Sequence, residues 1–340
     1  MEKSPKGIVN LGNTCYINAC IQIFSHISKF TDIIENTKIS NLTCVECMLW
    51  KNINEIVSIM KNGNSKEIIH PNGLIRSIDQ VSKHNKQSFL SNHEPEDIGE
   101  FILFFLESLH KCVLREIDIT IAGNAENSLD DLAIEVYKKT KESVEKNYSE
   151  LYMLFYGTQL SQITSLDGKT VHSLNVEGFY ILDLPIPNNI SSDSTIYDCI
   201  DKYITPEILD GDNKWLNEKT NKLESVRKFF SFWSFPDVLI ISLKRIDFMG
   251  NKNSINIQYP LELDLRKYVV GYKKEDNIYH LVGICCHLGN HSKGHYISFV
   301  KKEEQWYFCN DETIQNVDDI KHLQSGFAYC LFYTKKNNTI

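Results

Sequence analysis

The hydrophobic pattern of this chain changes period near Leu154, and that change limits the folds open to it. Before it, apolar residues recur at three- and four-residue intervals. Ile17, Ile21, Phe24 and Ile27 make one such set, and Ile98, Phe101, Ile102, Phe105 and Leu109 another, which predicts helices with one buried face. The same spacing predicts helices over 41–60, 74–81 and 128–151, with a polar loop over 115–127. After Leu154, apolar and polar residues alternate as far as Pro187 between glycine breaks, which reads as antiparallel strands. A short helix is expected over 194–209, and Val238–Leu243 is the strongest candidate for a buried strand. An α+β fold follows, helical first and antiparallel β after.

Within the helical part, the stretch KGIVNLGNTCYINACIQIFSHI, 6–27, places a turn-prone Leu-Gly-Asn directly before a helix start. Cys15 falls in the first turn of that helix, where unpaired N–H groups and the helix dipole favour a thiolate over a thiol. Asn10, five residues upstream, supplies a neutral amide donor of the kind that stabilises an oxyanion. A buried structural cysteine is the competing reading, because free cysteine is among the most buried residue types.

Composition removes several classes. The formal charge of −8 argues against nucleic acid as the main partner. No apolar run approaches the roughly 18 residues that span a bilayer, and the charged, proline-bearing start MEKSPKG carries no export signal, so no membrane association is expected. Ten cysteines without such a signal are expected as reduced thiols in a cytoplasmic or nuclear setting. Cys44 and Cys47 form a lone CxxC within a helical pattern. Core packing is the better reading of it than a metal site, since a structural zinc takes four ligands and no second pair is evident.

Near the C-terminal end, His287, His291 and His295 lie four residues apart, but Gly289 and Gly294 place a turn between strands there, so the spacing does not put them on one helix face. His295 opens the strand HYISFV with glycine directly before it, which allows close backbone approach; His287 and His291 are expected as loop or surface residues. In WYFCNDETI, Asn310 and Asp311 can each orient an imidazole, and adjacent strand residues point to opposite faces, so one of the two is expected to face His295.

These motifs together resemble the ubiquitin-specific protease family of deubiquitinating enzymes. NLGNTCYINACIQ is similar to its cysteine box, HEPEDIGEFILFFLESLH to its acidic helix box with Asp97, Glu100 and Phe101 retained, FPDVLIISLKRIDF to its palm strand, and the Gly-His-Tyr at 294–296 to its histidine box. The resemblance runs from Gly7 to about Tyr333. It implies a papain-like cysteine protease fold with a helical thumb (about 1–153), β fingers (154–235) and an antiparallel β palm (236–335) in a single catalytic domain. It also implies a deubiquitinase acting on ubiquitin and ubiquitinated proteins as a monomer. Cys15 is then the nucleophile, Asn10 the oxyanion donor, His295 the base and Asn310 its orienting partner, with Asp311 assisting. Asp97 then lies beside the channel for the ubiquitin tail, with Gly294 and Tyr296 as channel walls. The family's fingers usually hold zinc on two CxxC pairs. Here Ser165, Gly168, Asn217 and Thr220 stand in those places, so the tip is expected to rest on strand pairing and apolar contacts, with no structural metal and no cofactor. The rival readings are a ubiquitin-binding pseudoenzyme, a protease for a ubiquitin-like modifier, and an unrelated papain-like peptidase.

Overall fold

The change of period near Leu154 becomes the boundary between a helical layer and a set of sheets. The computed structural model of the chain describes residues 4–39, 44–62, 67–87, 96–188, 191, 193–247, 249–290 and 294–336. The helical layer contains α1 (Cys15–Phe24), α2 (Ser28–Asn36), α3 (Val45–Asn62), α4 (Asn72–His84), α5 (Ile98–Val113), α6 (Ser128–Val144) and α7 (Glu150–Phe155). The single helix expected over 128–151 is two, because Ser149 starts a new one: its hydroxyl accepts the Tyr152 N–H at 2.9 Å, capping α7, and pairs with His110 Nδ1 at 2.8 Å.

The strands follow as β1 (Gly157–Ser165), β2 (Val171–Phe179), β3 (Ile181–Pro185), then α8 (Ile196–Ile204), β4 (Glu207–Leu209), β5 (Trp215–Asn217), β6 (Lys222–Glu224), β7 (Val226–Ser234), β8 (Val238–Lys244), β9 (Glu262–Asp264), β10 (Ile278–Gly289), β11 (Gly294–Lys302), β12 (Gln305–Asn310), β13 (Thr313–Val317) and β14 (Ala328–Lys335). The large sheet runs β13-β12-β11-β10-β14-β8-β3, with β9 also on β10; a second sheet runs β2-β1-β7-β4, and β5 pairs with β6. One pairing departs from the antiparallel expectation. β3 lies parallel to β8, with Leu182 opposite Ile241.

Why Val238–Leu243 reads as an unbroken apolar run is plain from its surroundings, since both faces of the large sheet are covered. Val238 and Ile240 join the core beneath α1, α3 and α5, while Leu239, Ile241 and Leu243 join a second core that includes Ile196 and Ile200 of α8. Phe24 at the end of α1 packs on Phe30, Phe105, Phe155 and Phe332, with ring centroids 5.0–5.7 Å away, so the nucleophile-bearing helix is fixed against helix and sheet alike. Arg245 stands just past the end of β8, where a charged side chain is ordinarily solvated. It is 1% exposed and its guanidinium donates to the carbonyls of Ala328, Asn253 and Ile255, which closes backbone ends that a strand terminus leaves open.

The tips of the second region are closed by polar side chains rather than by the expected apolar contacts. In the β1–β2 turn Ser165 donates to Asp167, and in the β5–β6 turn Glu224 Oε1 accepts from Asn217 at 3.0 Å and Thr220 at 2.8 Å. Leu216 and Leu223 pair across β5 and β6 and are both exposed.

Candidate active site

The N-terminal segment is laid down between two partners before α1 begins. Ile8 donates its N–H to Asp311 O at 2.9 Å, and Ile69 donates to Gly7 O at 2.9 Å. A Cβ at Gly7 would lie 2.2 Å from Glu312 O, so only glycine admits this approach to the β12–β13 turn. Asn10 then folds over the start of α1: its Oδ1 accepts from the Gly12 N–H at 3.0 Å, the Thr14 N–H at 3.3 Å and the Thr14 hydroxyl at 3.2 Å.

Cys15 is the first residue of α1, as the sequence predicts, and is 4% exposed. Its Sγ accepts the backbone N–H of Tyr296 at 3.5 Å, which joins the helix start to β11 one residue past His295. Burial pushes the Cys15 thiol above its usual value, the Tyr296 N–H opposes that, and the Asp311 carboxylate adds to it. The helix terminus alone therefore does not produce a resting thiolate. A base has to take the proton.

His295 directly precedes Tyr296, whose N–H meets the sulfur. Its Nε2 lies 2.7 Å from Asn310 Oδ1, so Nε2 carries the proton that Asn310 accepts and Nδ1 is left as the basic nitrogen. Asp311 Oδ2 is 3.9 Å from the same Nε2. The expectation that neighbouring residues must diverge fails here for a backbone reason. Asn310 ends β12, and Asp311 has φ +49°, a left-handed turn that swings its carboxylate back toward the site. That carboxylate accepts from Asn10 Nδ2 at 2.9 Å and from Asn18 Nδ2 at 2.7 Å. Asn18 went unnoticed in the sequence. Its signal was an amide residue one turn after Cys15 on a wholly buried helix that carries one other amide, Gln22.

Asp97 caps α5, its Oδ1 accepting from the N–H groups of Gly99 at 2.7 Å and Glu100 at 3.2 Å. Its other oxygen accepts from the Tyr329 hydroxyl at 2.6 Å, which ties α5 to β14. Asp97 and Tyr329 border a cleft of about 670 Å³ together with Phe179, Tyr180 and Lys244. Gly294 and Tyr296 do not line it. A Cβ on Gly294 would lie 1.8 Å from His287 Nε2, and Tyr296 stacks on the His287 ring at 4.6 Å while its hydroxyl accepts the Ile98 N–H at 3.4 Å. His287 is accordingly a buried residue of β10 and not the loop or surface residue expected; Lys252 Nζ lies 3.1 Å from its Nδ1 and donates to its carbonyl at 2.6 Å. His291, and the His93, Glu94 and Pro95 of the acidic box, lie outside the described residues. The thiols are not all reduced as expected, because Cys44 and Cys47 are joined in a disulfide; their Cα atoms, 5.4 Å apart at the start of α3, fall within bridging range. Among the described residues no helix is long and apolar enough to cross a membrane.

A buried sulfur at a helix start, beside a histidine held by an asparagine on the facing strand, defines a papain-like thiol hydrolase arrangement on an α+β frame. The family model of the ubiquitin carboxyl-terminal hydrolases matches residues 6–333, and the chain belongs to that family. It is similar to ubiquitin carboxyl-terminal hydrolase Usp2 of Drosophila melanogaster, 28% identical over 97% of this chain and 34% of that protein. It is also similar to ubiquitin carboxyl-terminal hydrolase 4 of Arabidopsis thaliana, 27% identical over 92% of this chain and 85% of that one. The chain spans about a third of the length of the Drosophila relative, and 23% of human ubiquitin carboxyl-terminal hydrolase 42. Its fold is that of the SAGA DUB module containing Ubp8 bound to monoubiquitin, with a TM-score of 0.73 and 21% identity over 99% of this chain and 71% of that one.

Proposed function

We propose that this chain is a thiol-dependent deubiquitinase that hydrolyses the bond after the C-terminal glycine of ubiquitin, with ubiquitin and ubiquitinated proteins as its partners. The observation that carries the reading is the 2.7 Å contact of His295 Nε2 with Asn310, beside Cys15 at the start of α1. His295 takes the Cys15 proton, and Sγ bonds to the scissile carbonyl carbon. The C–N bond then breaks as His295 returns that proton to the leaving amine, and water, deprotonated by His295, releases ubiquitin from the thioester. Asp311 fixes where the Asn10 amide stands, and Asn10 serves the oxyanion from that place. Asp97, on the cleft, takes the basic tail of ubiquitin, while Gly294 and Tyr296 pack the strand of His295 closely against His287 of β10. We read the helical layer to about 153, the fingers to 235 and the palm to 335 as one catalytic unit, working as a monomer where Cys15 stays reduced.

The test is reaction with an electrophile carried on the C-terminus of ubiquitin. A single adduct on Cys15 is expected, absent from Cys15→Ala and His295→Ala, with turnover of a ubiquitin C-terminal amide lost in both. Adducts with a probe built on a ubiquitin-like modifier, and none with ubiquitin, would move the substrate class. Because burial raises the Cys15 pKa, its thiolate population at neutral pH is smaller than that of a free thiol. Its alkylation rate by iodoacetamide in His295→Ala should therefore still be climbing at the pH where an ordinary cysteine has levelled off.

A further inference from the structure

The expectation of no metal at Cys44 and Cys47 rested on the want of further ligands near them, and the fold supplies one. Cys112, in the last turn of α5, brings its Sγ to 3.4 Å from that of Cys47, and the three sulfurs all lie within 4.8 Å of one another. Three thiolates on zinc, with Zn–S bonds of about 2.3 Å at tetrahedral angles, stand about 3.8 Å apart. The triad meets that spacing once the Cys44–Cys47 bond is opened.

We propose that the reduced Cys44, Cys47 and Cys112 bind one zinc ion, which clips the start of α3 to the end of α5. The disulfide employs two of the sulfurs and leaves a third, half-buried, beside them; a soft cation employs all three. Glu46, between Cys44 and Cys47 in the sequence and itself buried, adds a negative charge that favours a cation beside Cys112, and the fourth position is left to solvent. A dithiol reductant opens the Cys44–Cys47 bond and leaves as its own cyclic disulfide. Each of the three thiols then gives a proton to solvent as its sulfur bonds to zinc, and no further electrons move. The fingers turns carry no cysteine at Ser165, Gly168, Asn217 or Thr220, so zinc found in the protein is not explained there.

The experiment uses the full chain, reduced with a dithiol, equilibrated with zinc and passed over a chelating resin before elemental analysis. About one zinc per chain is expected. It should be retained in Cys15→Ser and lost from Cys44→Ser and Cys112→Ser, and cobalt should give a thiolate charge-transfer band in the wild type and Cys15→Ser but in neither triad variant. Alkylation mapping of the wild type guards against variants that fail to fold: zinc should shield Cys44, Cys47 and Cys112 and leave reactivity at Cys15 unchanged. Reduced wild-type protein that holds no zinc, zinc that persists in both serine variants, or alkylation of the triad that zinc does not slow would each overturn the site.

Discussion

In the large sheet β8 is buried from Val238 through Leu243, whereas β2 of the four-stranded sheet has no fully buried position along its nine residues. Polar groups of the large sheet reach across the molecule: Arg245 closes carbonyls up to 83 residues away, and the Asp311 turn between β12 and β13 collects Asn10 and Asn18 from the far end of the chain. Several polar groups beside the four-stranded sheet close their own turns, as Ser165 does with Asp167 in the β1–β2 turn and Glu224 within seven residues in the β5–β6 turn. Long-range ties place a few atoms accurately and make the region intolerant of change. Local ties hold a shape whose surface is free to vary.

The largest effect should come from Asn310→Ala, which removes the acceptor that holds His295. Turnover is expected to fall by ~10²–10⁴-fold, as for loss of a general base, while Asn310→Asp, which keeps an acceptor, stays active. If steady-state kinetics show the alanine variant near wild type, the site is not organised as described. Next, Phe24→Ala should lower stability by about 3–5 kcal/mol in denaturant titration, because it empties the ring cluster between helices and sheet. A loss below 1 kcal/mol would remove the contrast between the two regions.

Asp311→Ala comes third. It removes the acceptor of the Asn10 amide and the shortest of three acceptors of the Asn18 amide, at about 1–3 kcal/mol for a buried donor left unpaired, and puts alanine at φ +49°. Both the melting temperature and kcat should fall, whereas Asp311→Asn, which keeps an acceptor and tolerates that φ, should recover part of each. Smallest are changes at the fingers tip: Leu223→Ala, at a residue 65% exposed, should stay within ~0.5 kcal/mol of wild type by thermal melting. A large loss there would mean that the tip is tied to the core after all.

Much of this was legible because the signals were local. The start of α1 at Cys15, the burial of Val238–Leu243 and the pairing of His295 with Asn310 all follow from residues a few positions apart, or from a motif that contains its own geometry. What escaped depended on distance or on a single dihedral. Nothing near Cys112 in the sequence shows that it meets Cys47, 65 residues earlier, at the junction of two helices. The alternation rule assigns Asn310 and Asp311 to opposite faces, and only the left-handed turn at Asp311 defeats it. Arg245 and His287 look like edge residues by type, yet the large sheet buries them because backbone carbonyls and a stacked tyrosine accept them there.

The bond from Tyr329 to Asp97 joins the first residue before α5 to the last strand of the chain, across the mouth of the cleft. Any motion that parts α5 from β14 has to break it. A hydrogen bond to a charged group contributes about 1.5–3 kcal/mol, so its loss would shift any such equilibrium toward the parted form by roughly ten- to a hundred-and-fifty-fold. One hydroxyl thus makes the start of α5 answer to a strand 232 residues further along the chain.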